Sequence, residues 1–202
     1  MQSRRERKKQ QTRNALLEAA MSLLAERGIE GTRVSDITER VDLGKGAFYN
    51  YFSSKDALIA ELVAQGVKTF QDEYLVYARS TAGVAERVSD LARLHTSFLN
   101  DHPQYALLFH QARGLLLLSE TGAEPLRDVF GSYLRGVAQE LMPSPDDDPT
   151  EEALDMAAAL MGGIAGYRSF RIAAALTPSK STAEEILTRG IPGMLRQRQE
   201  AQ

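Results

Sequence analysis

The stretch that most limits what this chain can fold into is Val34 to Phe52, VSDITERVDLGKGAFYNYF, followed at once by Ser53-Ser54-Lys55-Asp56. Val34, Ile37 and Val41 recur at helical spacing, and Asp42-Leu43-Gly44 then interrupts the pattern before a second short segment begins. The order is helix, turn, helix. In the second segment Lys45, Tyr49 and Asn50 project between Phe48 and Phe52, where a plain core helix would carry one apolar stripe. A segment of this kind is built to touch a partner.

These residues resemble the TetR (tetracycline-repressor-like) family of bacterial transcriptional regulators. Gly46, Ala47, Phe48, Tyr49, Tyr51, Phe52, Ser54 and Lys55 match the family pattern position by position. Three positions depart from it. Asp42 stands where glycine is preferred, a tolerable change because Asp visits the left-handed region more readily than most residues. Gly44 replaces a hydroxyl cap, which should cost only a few tenths of a kcal/mol. Arg33 stands where a serine or threonine often closes a capping box with Asp36.

The resemblance is specific over residues 11–60 and architectural beyond. It implies an all-α chain with an N-terminal three-helix helix-turn-helix DNA-binding domain, residues 1–55, joined by a long helix to a C-terminal helical ligand-binding and dimerisation domain, residues 56–202. For double-stranded DNA it implies separate roles. Lys45 and Asn50 would address base edges, with Gly46 and Ala47 permitting close approach and a thymine-methyl contact. Tyr49, Arg33 and Lys55 would hold phosphates and set register.

Charge agrees with a polyanion at one end only. The net charge is −3, but residues 1–55 carry 11 Lys and Arg against 7 Asp and Glu, whereas residues 56–202 carry 13 against 20. A basic head on an acidic body follows. Arg4 to Lys9 read as a flexible arm able to follow a phosphate backbone or enter a minor groove. The chain has no cysteine, which removes disulfides, thiolate metal sites and cysteine nucleophiles. With no signal-like start, and no apolar run near the roughly 20 residues a membrane span needs, it is expected in the cytoplasm without membrane contact.

Helical periodicity continues along the whole chain. A first helix from about Gln11 to Arg27 ends at Gly28. Ser53 or Ser54 caps a helix of about 26 residues reaching Arg79, roughly 39 Å at 1.5 Å per residue, longer than a three-helix head requires. Val84, Val88, Leu91, Leu94 and Phe98 line the next helix, and Pro103 starts another, to about Ser119, apolar on so much of its circumference that it is expected at the centre of the body. Leu126 to Leu141 is a further helix, and Met142 to Pro149 an acidic, proline-rich linker expected to be mobile. Asp148-Pro149-Thr150-Glu151 then opens a helix to about Leu176 through a capping box, with Pro149 at its first position. Ser181-Thr182-Ala183-Glu184 opens the last, with Ile186, Leu187 and Ile191 facing inward and a kink at Pro192.

Interior glycines weaken a helix by about 0.5–1 kcal/mol each, so Gly162, Gly163 and Gly166 need a compensating close approach. Together with Ala159 and Leu187 they form the expected dimer interface, a four-helix bundle of two helices per subunit. Two recognition helices about 34–36 Å apart or somewhat more would then read a palindromic operator.

No catalytic motif is present. Gly44-Lys45-Gly46 follows a turn between helices and not a strand, so it is no phosphate loop, and Gly-x-Ser-x-Gly and His-Glu-x-x-His are missing. The chain is expected not to be an enzyme and to need no cofactor; His95, His102 and His110, its only histidines, are not spaced as a metal site. An effector pocket is expected in the body from His95, Phe98, Phe109, His110, Arg113, Tyr133 and Tyr167, with Phe130 and Arg168 near them. The family resemblance implies a repressor released from its operator when an unidentified small molecule tilts the long helix. The alternative is a DNA-binding protein of the same fold controlled by a protein partner on the acidic body.

Overall fold

The computed structural model describes residues 3–73, 83–118, 123–146 and 148–175. Ser3 opens the first helix with a reciprocal cap. Its hydroxyl accepts from the Glu6 N–H at 3.2 Å, and the Glu6 carboxylate accepts from the Ser3 N–H at 2.6 Å. Helix α1 therefore runs Arg4–Gly31, and the basic segment Arg4 to Lys9, expected as a flexible arm, forms its first turns. Arg, Lys, Gln and Glu are all good helix formers, so a cap is enough to extend the helix upstream. The glycine expected to stop the helix does break it: Gly28 has φ 75° and ψ 174°, and one more turn follows.

Among the described residues all regular structure is helical: α2 (Val34–Glu39), α3 (Lys45–Phe48), α4 (Lys55–Glu73), α5 (Val84–Asp101), α6 (Pro103–Leu118), α7 (Glu124–Leu141) and α8 (Glu151–Ala173). The reach of α4 to Arg79, the end of α8 at Leu176 and the last helix, with Ile186, Leu187, Ile191 and Pro192, lie outside the described residues. Two compact units result. Of the described residues, the first combines those within 1–66 and 104–129, and the second those within 67–103 and from 130 to 175.

In the first unit the inward faces of α1 to α4 supply Leu16, Ala20, Ile37, Phe48, Leu58 and Ile59, all with no solvent exposure. Helix α6 joins them through Gly66. A Cβ at that position would lie 2.7 Å from the Tyr105 ring and 2.9 Å from the Phe109 ring, so only glycine lets α6 come this close to α4. Helix α6 is not a buried central helix. Only Leu108, Phe109 and Ala112 are buried, and Leu117 and Leu118 are 87% and 86% exposed. Its sequence is apolar on several sides, but one side alone meets neighbours, and periodicity cannot tell these cases apart.

In the second unit α5 packs on α8, and Phe70, Val88, Phe98, Val137, Leu141, Ala157, Leu160 and Ile164 form the core. Arg87 Nε donates to the Leu141 carbonyl at 2.9 Å, capping the end of α7. The segment after it begins with two bonds back to α7: Gln139 Nε2 donates to the Ser144 carbonyl at 3.0 Å and Ser144 N–H to Gln139 Oε1 at 3.2 Å. Thr150 caps α8 by accepting from the Ala153 N–H at 3.2 Å, so Pro149 precedes the cap and does not sit in the first turn.

Candidate nucleic-acid interface

The candidate interface is assembled around α3. Asp42 has φ 54°, so the turn between α2 and α3 does use the left-handed conformation in which Asp stands for glycine. The Leu43 N–H donates to the Thr38 carbonyl at 2.9 Å, closing the turn. Gly44 then occupies the N-cap position in extended conformation without a side-chain bond. Phe48 and Phe52 are buried, with ring centroids 5.5 Å apart, and anchor α3 to the unit. The opposite side faces out: Lys45, Gly46 and Asn50 are exposed, Ala47 is half-buried and Tyr49 is 56% exposed.

The sequence reading did not identify what holds this face in place. The Arg13 guanidinium makes a two-pronged ion pair with the Glu61 carboxylate and lies 4.7 Å from the centroid of the Phe52 ring. It therefore ties α1, α4 and the end of the recognition segment together. The signal was faint, because Arg13 and Glu61 are distant in sequence and each looks like an ordinary surface charge.

Lys55, assigned to a phosphate by resemblance, is engaged by the protein itself. Its Nζ donates to the Ile29 carbonyl at 2.9 Å and the Thr32 carbonyl at 3.2 Å, which leaves one N–H of the ammonium. Arg33 is exposed, and its backbone N–H donates to Asp36 Oδ2 at 3.0 Å. A guanidinium has no acceptor, so only this half of a capping box can form, and the side chain stays available to solvent. Arg40 fixes α2 to α1 through Ser22 Oγ at 2.8 Å and Glu26 Oε1 at 3.1 Å. That guanidinium, with Ser22 second, holds the Glu26 carboxyl below the usual carboxylate range.

The expected effector residues are divided between the two units. His95, Phe98 and Tyr133 do meet, in the second unit: Tyr133 Oη and His95 Nδ1 are 2.9 Å apart, and Phe70, which the sequence reading missed, is in edge contact with all three. All four side chains are buried, a packing typical of core. Tyr167, in the same unit, is half-buried with Arg171 over its ring at 5.5 Å. Arg168 donates to Asn100 Oδ1 at 2.5 Å. Phe109, His110 and Arg113 belong to α6 in the first unit, where Phe109 packs on Gly66 and His110 is exposed.

A cleft of about 530 Å³ does open in the first unit, lined by Asn14, Leu17, Glu18 and Met21 of α1, Leu62 and Gln65 of α4, and Gln104 and Tyr105 of α6. On α8, Ala159 and Gly162 are exposed, and nothing among the described residues would come within 4 Å of a Cβ on Gly162 or Gly166. Among the described residues no three metal-ligating side chains gather, and no helix is long and apolar enough to cross a membrane.

Residues 16–62, which hold α2, α3 and their anchors, match the model of the bacterial regulatory proteins of the tetR family. Over that segment the chain belongs to the TetR family of regulators. The relatives it matches are named as transcriptional regulators. Over 137 residues it is 27% identical to an HTH-type transcriptional regulator from the lacX 3′ region of Lactococcus lactis subsp. lactis, covering 64% of this chain and 68% of that one. Over 97 residues it is 29% identical to the HTH-type transcriptional repressor KstR2 of Mycobacterium tuberculosis, spanning 48% of each chain, about half the relative's length. In fold, the chain resembles the transcriptional regulator FadR of Bacillus subtilis in complex with stearoyl-CoA. The TM-score is 0.64 and the identity 16%, over 90% of this chain and 96% of that one.

Proposed function

We propose that this TetR-family regulator is a dimeric, sequence-specific DNA-binding repressor, released from a palindromic operator by a small-molecule effector. The observation that carries the reading is the two-sidedness of the segment Lys45–Phe52: Phe48 and Phe52 anchor it while Lys45, Gly46, Tyr49 and Asn50 face solvent. Lys45 offers donors for guanine acceptors and Asn50 a two-pronged amide for adenine. Arg33, Tyr49 and the remaining Lys55 N–H serve phosphates. The open side of α8 at Ala159, Gly162 and Gly166 supports pairing of two copies, since a helix keeps interior glycines at a cost that only a close neighbour offsets.

The test is an electrophoretic shift of the gene's own upstream DNA by purified protein, with and without a panel of hydrophobic and cationic small molecules and acyl-CoA thioesters. A shift abolished by one compound class supports the reading, whereas the lack of any shift sinks it. The mutual packing of Phe70, His95, Phe98 and Tyr133 favours a second reading, in which the body is a solid core and a protein partner supplies control. Tight DNA binding that no compound releases would favour that reading.

A further inference from the structure

The break in α1 creates a local problem. With Gly28 at φ 75°, the backbone no longer continues as helix, and its polar groups need partners from elsewhere. Each partner is identifiable. The Gly28 carbonyl accepts from Thr32 Oγ1 at 2.8 Å, and the Ile29 and Thr32 carbonyls accept from Lys55 Nζ at 2.9 and 3.2 Å. The Ile29 N–H donates to Gln111 Oε1 of α6 at 2.8 Å. Ile29 and Thr32 are 3% and 1% exposed, so water does not substitute freely for these bonds.

Position matters as much as pairing. Residues 28–33 are the link that decides how α2, and behind it α3, leaves α1. Lys55 holds the link from the start of α4, just after the helix-turn-helix segment, whereas Gln111 holds it from a chain segment far along the sequence. Gln111 also lies over the glycine itself, since a Cβ at Gly28 would sit 3.4 Å from its Oε1. The stretch around it, Leu107 to Leu118, is mostly apolar, and a lone carboxamide there with its oxygen on a buried N–H is a specific bond.

We infer that Gln111 is a positioning residue for DNA recognition: it touches no nucleotide, but by capping the Ile29 N–H it fixes the angle at which the helix-turn-helix leaves α1. The inference rests on the DNA-binding reading above. The experiment uses the full chain and compares Gln111→Met, which removes the acceptor, and Gln111→Asn, which withdraws it by one methylene, with Gln111→Glu, whose carboxylate still accepts from the same N–H. Two quantities are read well below the melting temperature: amide hydrogen exchange at Ile29 and affinity for the upstream DNA.

Met and Asn should speed exchange at Ile29 and weaken DNA binding by about tenfold, while Glu restores both towards wild type. A merely structural role would lower the melting temperature of Met and Asn and leave affinity at low temperature unchanged. Should Gln111→Met not fold, Gln111→Asn alone decides. If wild type binds DNA and the acceptor-deficient variants bind it as tightly, or keep Ile29 protected, the role of Gln111 is overturned. If wild type binds no DNA, the functional reading itself has failed.

Discussion

Lys55 illustrates how one residue can be drawn towards two jobs. Resemblance gives it a phosphate, yet in the protein alone its ammonium closes the end of α1 on the Ile29 and Thr32 carbonyls. Bonds from a charged donor contribute about 1.5–3 kcal/mol each at most, and partial exposure lowers that. Lys55→Met should therefore destabilise the free protein by roughly 1–3 kcal/mol in urea denaturation, before any DNA is added. An unchanged urea midpoint would return the residue to a purely DNA-facing role. Two carboxylates make α1 acid-sensitive, one at its N-terminal cap and one at its contact with Arg40. Glu6 is held below the usual carboxylate range first by the Ser3 backbone N–H and then by the Ser3 hydroxyl, and Glu26 first by Arg40. A depressed folded-state pKa means that the contribution is complete above the unfolded value and disappears as pH falls through the folded one. Acidification below the usual carboxylate range should weaken wild type more than Glu26→Gln, measured as the spread of their urea midpoints with pH.

At the scale of elements, Gly66 and Gly162 carry the same residue for opposite reasons. At Gly66 a methyl group would strike the Tyr105 and Phe109 rings, so Gly66→Ala should cost about 1–3 kcal/mol despite the better helix propensity of alanine. Thermal melts should show Gly66→Ala costing less in a Tyr105→Ala background than in wild type, with part of the cost kept by the Phe109 ring. At Gly162 nothing is in the way, so Gly162→Ala should stabilise the separate subunit by about 0.5–1 kcal/mol. If two copies meet on that side, the same change loosens the pair, and sedimentation at falling protein concentration would register it. These cases also mark how far the sequence could be read. Periodicity, caps and glycines placed α1 to α8 nearly where they occur, and the left-handed Asp42 followed from the family pattern. Three things stayed hidden. A cap at Ser3 turned the basic arm into helix, an apolar circumference on α6 did not mean burial, and the partners Arg13–Glu61 and Gln111–Ile29 are far apart in sequence. Local pattern reports which side of an element is apolar; it does not report which element that side meets.

At the scale of the whole molecule the uneven charge sets how DNA binding should respond to salt. A basic first quarter and an acidic remainder favour approach of a polyanion to one end only. Observed affinity should therefore fall steeply with salt, and Arg33→Gln should reduce the slope of log affinity against log salt by about one, one phosphate contact's worth. A slope unchanged in that variant would remove Arg33 from the interface. The composition of the first unit has one more effect, on the order in which the protein is made. Residues 1–66 leave the ribosome long before 104–129, so a nascent chain ending near position 66 holds its recognition segment while the Ile29 amide and the notch at Gly66 still lack the side chains that fill them. Completion of the N-terminal unit thus waits on a segment made some forty residues later, and no single cut in the chain releases that unit whole.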